Sequence, residues 1–171
     1  FFNDKQLTSL SLPSSVERVD SSAFEGASNL KTITFSDGGK GLKKIDSLAF
    51  KDCSSLESID LSNAEITEIP ARAFENCTSL KSVKLPPTVT KIANNAFSGC
   101  SKLEEIEGLE QCKISELSAT AFDSCVRLKD INLSNATIAA IPDQIFSGMR
   151  GLISATVPKT VTSIGTEAFY A

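Results

Sequence analysis

Apolar and polar residues recur along this chain in units of 23 to 26 residues. In one unit, Leu80-Lys-Ser-Val-Lys-Leu85 places apolar side chains at Leu80, Val83 and Leu85, with polar side chains between them. Alternation of this kind predicts a short strand with one buried face. Corresponding segments begin at Leu7, Leu30, Leu56, Leu80, Leu103, Leu128 and Leu152.

A second apolar pair, spaced i, i+3, comes after each predicted strand and ends five residues before a Phe, as Val89 and Ile92 do before Phe97. In two units this pair is followed directly by a proline, Pro70 or Pro142. Proline disrupts a helix because it lacks an N–H donor. We therefore expect short extended segments and turns on this side of the molecule.

Each unit contains a Phe near its end, usually preceded by Ala, and the Leu that begins the next unit follows six residues later. The recurring residues are Phe1, Phe24, Phe50, Phe74, Phe97, Phe122, Phe146 and Phe169. A single unit cannot bury its own apolar face, so neighbouring units must stack to form a continuous core. We expect Phe to pack on Phe and Leu on Leu throughout the stack.

A period of 20 to 29 residues that carries L-x-x-I-x-L is typical of a leucine-rich repeat solenoid. The fold class predicted is therefore an α/β-type right-handed superhelix of about seven repeats. Its sheet is parallel and concave, and its convex side consists of short extended segments and turns. Residues 1–171 are one domain on this interpretation. The chain starts within a unit and its only Met is Met149, so we interpret it as a fragment of a longer array.

Three kinds of unit alternate, and they differ in the residues directly after the strand, which are a proline, the sequence Leu-Ser-Asn-Ala, or an insertion. The proline units begin at Leu7, Leu80 and Leu152, the Leu-Ser-Asn-Ala units at Leu56 and Leu128, and the insertion units at Leu30 and Leu103. We expect the insertions, residues 36–41 and 108–113, to bulge from one flank of the solenoid.

Composition and charge exclude some classes of partner. The net charge is -4 with a pI near 4.9, and there is no run of Lys or Arg. Nucleic-acid binding depends on concentrated positive charge, so we expect no nucleic-acid partner. No apolar run approaches 18 residues, so we expect no membrane insertion in this segment.

Candidate chemistry is sparse because the sequence contains no His. Ser-His and Cys-His dyads and the commonest metal ligand are therefore missing. No glycine-rich phosphate motif occurs in the strand-to-helix context that it requires. We expect neither an enzyme, nor a cofactor, nor a metal site.

Four of the five cysteines lie three residues after a Phe, namely Cys53, Cys77, Cys100 and Cys125. Ala27 and Met149 occupy the same position in other units, and a position that accepts Ala, Cys and Met is typical of an apolar core. We expect a ladder of buried free thiols there. Cys112 lies outside this ladder, in an insertion, and we expect it to be the reactive thiol.

The polar residues of the predicted strands form the candidate binding surface, on the concave face. The candidate residues are Ser58, Asp60, Ser82, Lys84, Glu105, Glu107, Asp130 and Asn132. No aromatic residue lies among them, whereas strong interfaces usually contain aromatic or Arg anchors. Two interpretations stay open: a polar protein-binding surface, or a solvated face of a spacer.

The segment Leu80-Lys-Ser-Val-Lys-Leu-Pro-Pro-Thr-Val-Thr-Lys-Ile-Ala-Asn-Asn-Ala-Phe-Ser-Gly-Cys100, with its counterparts from Leu7 and Leu152, resembles the BspA-like leucine-rich repeat family. This family includes treponemal proteins. The resemblance implies bacterial or protozoan surface proteins that bind host matrix proteins or other cells. The segments 66–74 and 138–146 look more like animal extracellular repeats. Both resemblances favour an exported protein.

We therefore expect a non-enzymatic protein-interaction or adhesion module that acts outside the cell or on its surface. The expected partner is a protein, of the host matrix or of a cell surface, with a basic patch opposite the acidic concave residues. We expect a monomer. The alternative is a structural spacer without a ligand of its own.

Overall fold

The chain winds through seven stacked coils, each of which contributes one strand to a concave face and one to a convex face. The computed structural model describes residues 1–171. We number the coils 1 to 7 from their first residues, which are Leu7, Leu30, Leu56, Leu80, Leu103, Leu128 and Leu152. The predicted leucine-rich repeat solenoid of about seven turns is confirmed.

The concave strands take the odd numbers in chain order. They are β1 (Ser9–Leu12), β3 (Thr32–Phe35), β5 (Ser58–Asp60), β7 (Ser82–Lys84), β9 (Glu105–Glu107), β11 (Asp130–Asn132) and β13 (Ser154–Thr156). All pairs between them are parallel, in a five-stranded sheet of order β1-β3-β5-β7-β9 and a separate pair β11-β13.

The convex strands are only two residues long and take the even numbers. They are β2 (Arg18–Val19), β4 (Lys44–Ile45), β6 (Glu68–Ile69), β8 (Lys91–Ile92), β10 (Glu116–Leu117), β12 (Ala140–Ile141) and β14 (Ser163–Ile164). They pair in parallel as β2-β4, β6-β8-β10 and β12-β14. A short 3-10 segment spans Leu109–Gln111, and Ser36–Gly39 forms a tight turn with left-handed backbone at Asp37 and Gly38. The convex side contains no α-helix.

The Phe side chains form one continuous file through the core, as the sequence predicts. Ring centroids from Phe1 to Phe122 are 5.2 to 5.7 Å apart, with neighbouring planes within 6° of parallel. Phe50, Phe74 and Phe97 are fully buried. The core contains 46 hydrophobic residues and no buried polar or charged residue, so apolar stacking between coils holds the fold together.

Two left-handed positions per coil let the chain turn sharply around each Phe. The first position, two residues before the Phe, has a positive φ in six coils, as at Arg72 (58°). The second position, two residues after the Phe, has a positive φ in coils 1 to 6, as at Asn76 (60°). Gly99 occupies the second position at φ 77°, where an added Cβ would lie 2.5 Å from the Asn76 side-chain oxygen. Small or polar residues occupy the second position in all six coils, as suits left-handed backbone, whereas the first position also accepts Leu48 at φ 65°.

The insertions of coils 2 and 5 bulge only in part, which corrects the sequence expectation. In coil 5, Gly108 adopts φ 85°, and the next residue, Leu109, turns inward and is buried. Leu109 thus supplies the third apolar side chain that the strand of this coil lacks. In coil 2, Gly39 is likewise buried, while Asp37 and Lys40 remain exposed.

The Asn of each Leu-Ser-Asn-Ala unit holds the insertion of the preceding coil. The Asn63 side-chain amide donates to the Asp37 carbonyl at 2.8 Å, and the Asn135 amide donates to the Glu110 carbonyl at 2.7 Å. The alternation of unit types in the sequence therefore has a structural reason. An insertion is always followed by a coil that can cap it.

Candidate functional site

The concave face brings the predicted surface residues together in two columns. Ser58 pairs with Ser82 and Ser82 with Glu105, while Asp60 pairs with Lys84 and Lys84 with Glu107. Side chains of alternate strand residues point to the same face, so both columns face outward while Ile59, Val83 and Ile106 face the core. The register aligns the candidate residues of β5, β7 and β9, whereas Asp130 and Asn132 lie on β11, which does not pair with β9.

Lys84 is the only cation among the candidate residues, and it is already paired. Its Nζ lies 2.9 Å from the Glu107 carboxylate. This hydrogen bond, together with the charges of Glu107, Asp60 and Glu105, raises the pKa of Lys84 above its ordinary value. Both partners are substantially exposed, and pairs of this kind add little to stability in water.

Two candidate residues have a structural role that sequence reasoning missed. Asp60 accepts a hydrogen bond from the Ser62 N–H at 2.9 Å, and Asn132 accepts one from the Ser134 N–H at 3.1 Å. Asx turns of this kind end a strand and start the following turn. The signal was present in the sequence, because an Asp or Asn directly precedes Leu-Ser-Asn-Ala in both units.

The remaining acidic candidates differ in how far their carboxylates are engaged. Asp130 accepts a hydrogen bond from the hydroxyl of Ser154 in the next coil. Glu105 is exposed, and no hydrogen bond or ion pair engages its carboxylate. Glu105 is therefore the carboxylate most open to a partner.

A cleft of about 240 Å³ separates the two parts of the concave sheet. Coil 5 lines it with Glu104, Glu105, Glu107 and Glu110, and coil 6 lines it with Lys129, Asp130 and Asn132. The sequence predicted neither the cleft nor the break in the sheet, because the strand patterns of coils 5 and 6 look continuous.

Two charged pairs lie beside the concave face and form a ladder, at the residue directly before each of the strands β5, β7, β9 and β11. Lys81 bonds Glu57 at 2.9 Å, and Lys129 bonds Glu104 at 2.5 Å. These contacts lower the pKa values of Glu57 and Glu104. Alternating charge at this position was visible in the sequence and could have predicted the ladder.

The thiols are placed for packing. Cys77 donates to the Phe50 carbonyl of the preceding coil at 3.1 Å, and Cys53, Cys100 and Cys125 make equivalent bonds. The expectation that Cys112 is reactive is wrong. Cys112 is fully buried within 3.3 Å of the Pro86 and Gly108 carbonyls, and burial raises its pKa to about 11.

No group of three or more Cys, Asp or Glu side chains is arranged to hold a metal ion. No helix in the structure has the length and apolar character needed to cross a membrane.

Comparison with known proteins gives the family. The family model described as the BspA type leucine rich repeat region matches residues 1–116 and 67–171, with six copies of the repeat. This chain belongs to the BspA-type leucine-rich repeat family. Among proteins with curated functions, none matches the chain significantly.

Solved structures of bacterial repeat proteins have the same fold. A leucine rich repeat protein of T. pallidum is 28% identical, with a TM-score of 0.62 over 94% of this chain and 61% of that protein. A leucine rich cell surface protein of Faecalibacterium prausnitzii is 24% identical, with a TM-score of 0.63 over 95% of this chain and 58% of that one. The BspA-type chain thus spans about three fifths of these two proteins.

Proposed function

We propose that this BspA-type chain is a non-enzymatic protein-interaction module of an exported or cell-surface protein. Its partner would dock on the concave face around Glu105, Glu107 and Asp130. The observation that carries the proposal is the exposure of these carboxylates: Glu105 and Glu107 lie on β9, Asp130 lies across the cleft on β11, and Glu105 has no partner of its own. Family membership supports the class of function, because leucine-rich repeats commonly mediate protein interactions.

The partner that this surface suits is a protein with exposed Lys or Arg. An acidic face attracts cations at long range and speeds their association. The columns contain no aromatic side chain and no deep apolar pocket, so contacts would be polar and spread over several coils. Such an interface would be of weak to moderate affinity and strongly dependent on salt concentration.

A spacer function is the second candidate, and the pairing of surface charges favours it. The contact between Lys84 and Glu107 satisfies charges within the face itself, and the bond between Asp130 and Ser154 does the same. A surface that needs no partner would have this arrangement. Binding measurements with charge variants separate the two functions.

We propose a location at the cell surface by analogy with one of the similar proteins. One of the similar structures is described as a leucine rich cell surface protein, and we extend that location to this chain. Labelling intact and permeabilised source cells with an antibody against residues 1–171 tests it. Staining that requires permeabilisation would contradict an exposed location.

The binding test uses poly-L-lysine as a model basic partner and the immobilised chain. We expect Glu105→Lys to weaken binding by about tenfold at physiological salt, since each reversal removes an attraction and adds a repulsion. Glu65→Lys is the matched control, because Glu65 is also exposed but lies at the start of the convex side. Equal losses of binding in both variants would mean that binding follows net charge alone. The proposal that the partner docks on the concave face would then fail.

A further inference from the structure

Adjacent coils are normally joined by three main-chain hydrogen bonds around the Phe. Between coils 3 and 4, the N–H groups of Arg72, Phe74 and Asn76 donate to coil 4 at 2.8 to 2.9 Å. The same three positions donate to the next coil at every other junction but one. Between coils 4 and 5 the first of the three acceptors is the Thr120 hydroxyl instead of a carbonyl.

The junction between coils 5 and 6, called junction 5/6, has none of these three bonds. The Thr120 N–H turns back to Ser118 Oγ at 3.3 Å, and the N–H groups of Phe122 and Ser124 do not bond coil 6. The Phe122 and Phe146 rings are 6.3 Å apart and tilted by 25°, the widest spacing in the file. Neither β9 and β11 nor β10 and β12 pair.

Two residues that depart from the repeat pattern explain the loss. Thr120 occupies the position at which every other coil has a φ of 53° to 65°, and a β-branched side chain disfavours that conformation. Ile145 occupies the buried position before the Phe that is Ala in the other coils, so its larger side chain must fit between stacked coils. Both changes lie at the same junction.

A second junction in the same chain provides a matched comparison. Coils 2 and 3 are the same kinds of unit as coils 5 and 6, an insertion coil followed by a Leu-Ser-Asn-Ala coil, and they lie equally far from the other end. Junction 2/3 also lacks pairing between its convex strands β4 and β6. It nevertheless retains all three bonds, from Leu48, Phe50 and Asp52. The unit types and the distance from an end therefore do not explain junction 5/6.

We propose that junction 5/6 is a hinge, at which coils 6 and 7 open from coils 1 to 5 far more readily than any other interior coils separate. Opening there moves Asp130 and Asn132, on coil 6, relative to Glu105 and Glu107, on coil 5. The hinge would adjust the curvature of the concave face at one defined place. It is a property of the free chain and does not depend on what that face binds.

Hydrogen exchange tests the hinge through bonds that both junctions possess. At junction 5/6, the N–H groups of Lys129 and Thr137 donate to coil 5 at 3.2 and 2.7 Å, and the N–H of Gly151 donates to the Val126 carbonyl of coil 5 at 2.9 Å. We use Lys129 and Thr137 as the two reporters. Their counterparts at junction 2/3 are the N–H groups of Glu57 and Glu65, which donate to coil 2 at 3.1 and 2.8 Å. Bonds of similar length at equivalent positions make the exchange rates report opening of the junction itself.

We expect the amides of Lys129 and Thr137 to exchange at least about tenfold faster than their counterparts, after correction for intrinsic rates. Equal protection at the two junctions would overturn the proposal. The measurement uses the unmodified chain, so it does not rely on any variant folding.

Replacing Thr120 and Ile145 tests whether these two residues cause the opening of junction 5/6. Thr120→Asn with Ile145→Ala introduces the residues found at these positions in coils 4 and 5, and should slow exchange at Lys129 and Thr137 to the level of junction 2/3. The reverse substitutions, Leu48→Thr with Ala73→Ile, should speed hydrogen exchange at the amides of Glu57 and Glu65. Unchanged rates in both folded variants would refute the assigned cause.

Discussion

At the scale of single residues, stability depends on how many neighbours each side chain has in its column. Phe74 is fully buried between Phe50 and Phe97, with centroids 5.3 and 5.4 Å away. Phe169 has a ring neighbour on one side only and is 38% exposed. The same residue type therefore contributes unequally along the solenoid.

Replacing an interior Phe should destabilise the chain far more than replacing a terminal one. We expect Phe74→Ala to lower the free energy of unfolding by about 3–5 kcal/mol, through lost burial and the cavity left behind. Phe169→Ala should cost clearly less. Urea titration measures both, and equal shifts of the midpoint would contradict a column whose members support one another.

The buried thiols should make the chain lose stability at high pH. Burial raises the pKa of Cys53 and of Cys125 from 9.0 to about 12. Above about pH 9 the unfolded chain releases thiol protons that the folded chain keeps, so the unfolded state is favoured as pH rises. This contribution to stability is complete below pH 9 and is lost as pH approaches 12.

Urea midpoints at pH 7, 8.5 and 10 measure this loss. The pKa values of Lys43, Lys84 and Lys91 are also raised, and these groups lower the free energy of unfolding as pH rises above 10.5. A loss of stability below pH 10.5 therefore reports the thiols. Cys53→Ala with Cys125→Ala is the control, because Ala27 fills this position in coil 1. The control should show a smaller decline, and a wild-type midpoint that stays flat to pH 10 would contradict the expectation.

Much of the residue scale was predictable because the repeat fixes each side chain by its offset from Phe. The Phe file and the thiol ladder follow from that offset alone. Cys112 was not predictable in this way, since it lies in an insertion where no offset applies. Its burial depends on the turn at Gly108, which brings Leu109 and the segment after it inward.

At the scale of elements, the insertions are held by side chains of the following coil. The Asn63 amide reaches the Asp37 carbonyl, and the Asn63 N–H also bonds the Gly38 carbonyl at 2.9 Å. The alternation of unit types is visible in the sequence, but its structural reason is not. The contact joins residues 26 positions apart and becomes visible only when coils are stacked.

Removing this cap should loosen the insertion of coil 2. We expect Asn63→Ala to cost about 0.5–1.5 kcal/mol, near the lower end because the site is exposed. Asn94→Ala is the control, since Asn94 is exposed and its side chain makes no hydrogen bond within the protein. Urea titration of both variants measures the difference, and an equal effect would show that the cap contributes nothing.

At the scale of the whole molecule, a solenoid is a chain of nearest-neighbour contacts, so its weakest junction decides whether it unfolds as one unit. The sequence predicts the number of coils and their order. It did not predict unequal junctions, because Thr120 and Ile145 look like ordinary variation in a repeat. Only the lost bonds at junction 5/6 reveal their joint effect.

Coils 6 and 7 should therefore unfold before the rest of the chain. Met149, the only Met, is buried in coil 6, and its ¹³C-labelled methyl group gives a single NMR signal for that coil. The amide of Phe50, in coil 2, is the matched probe from the opposite end. We expect the native Met149 signal to disappear at a lower urea concentration than that of Phe50, because fewer contacts hold coil 6 to its neighbour. Thr120→Asn with Ile145→Ala should bring the two midpoints together. Coincident midpoints in the unmodified chain would show instead that all seven coils unfold as one cooperative unit.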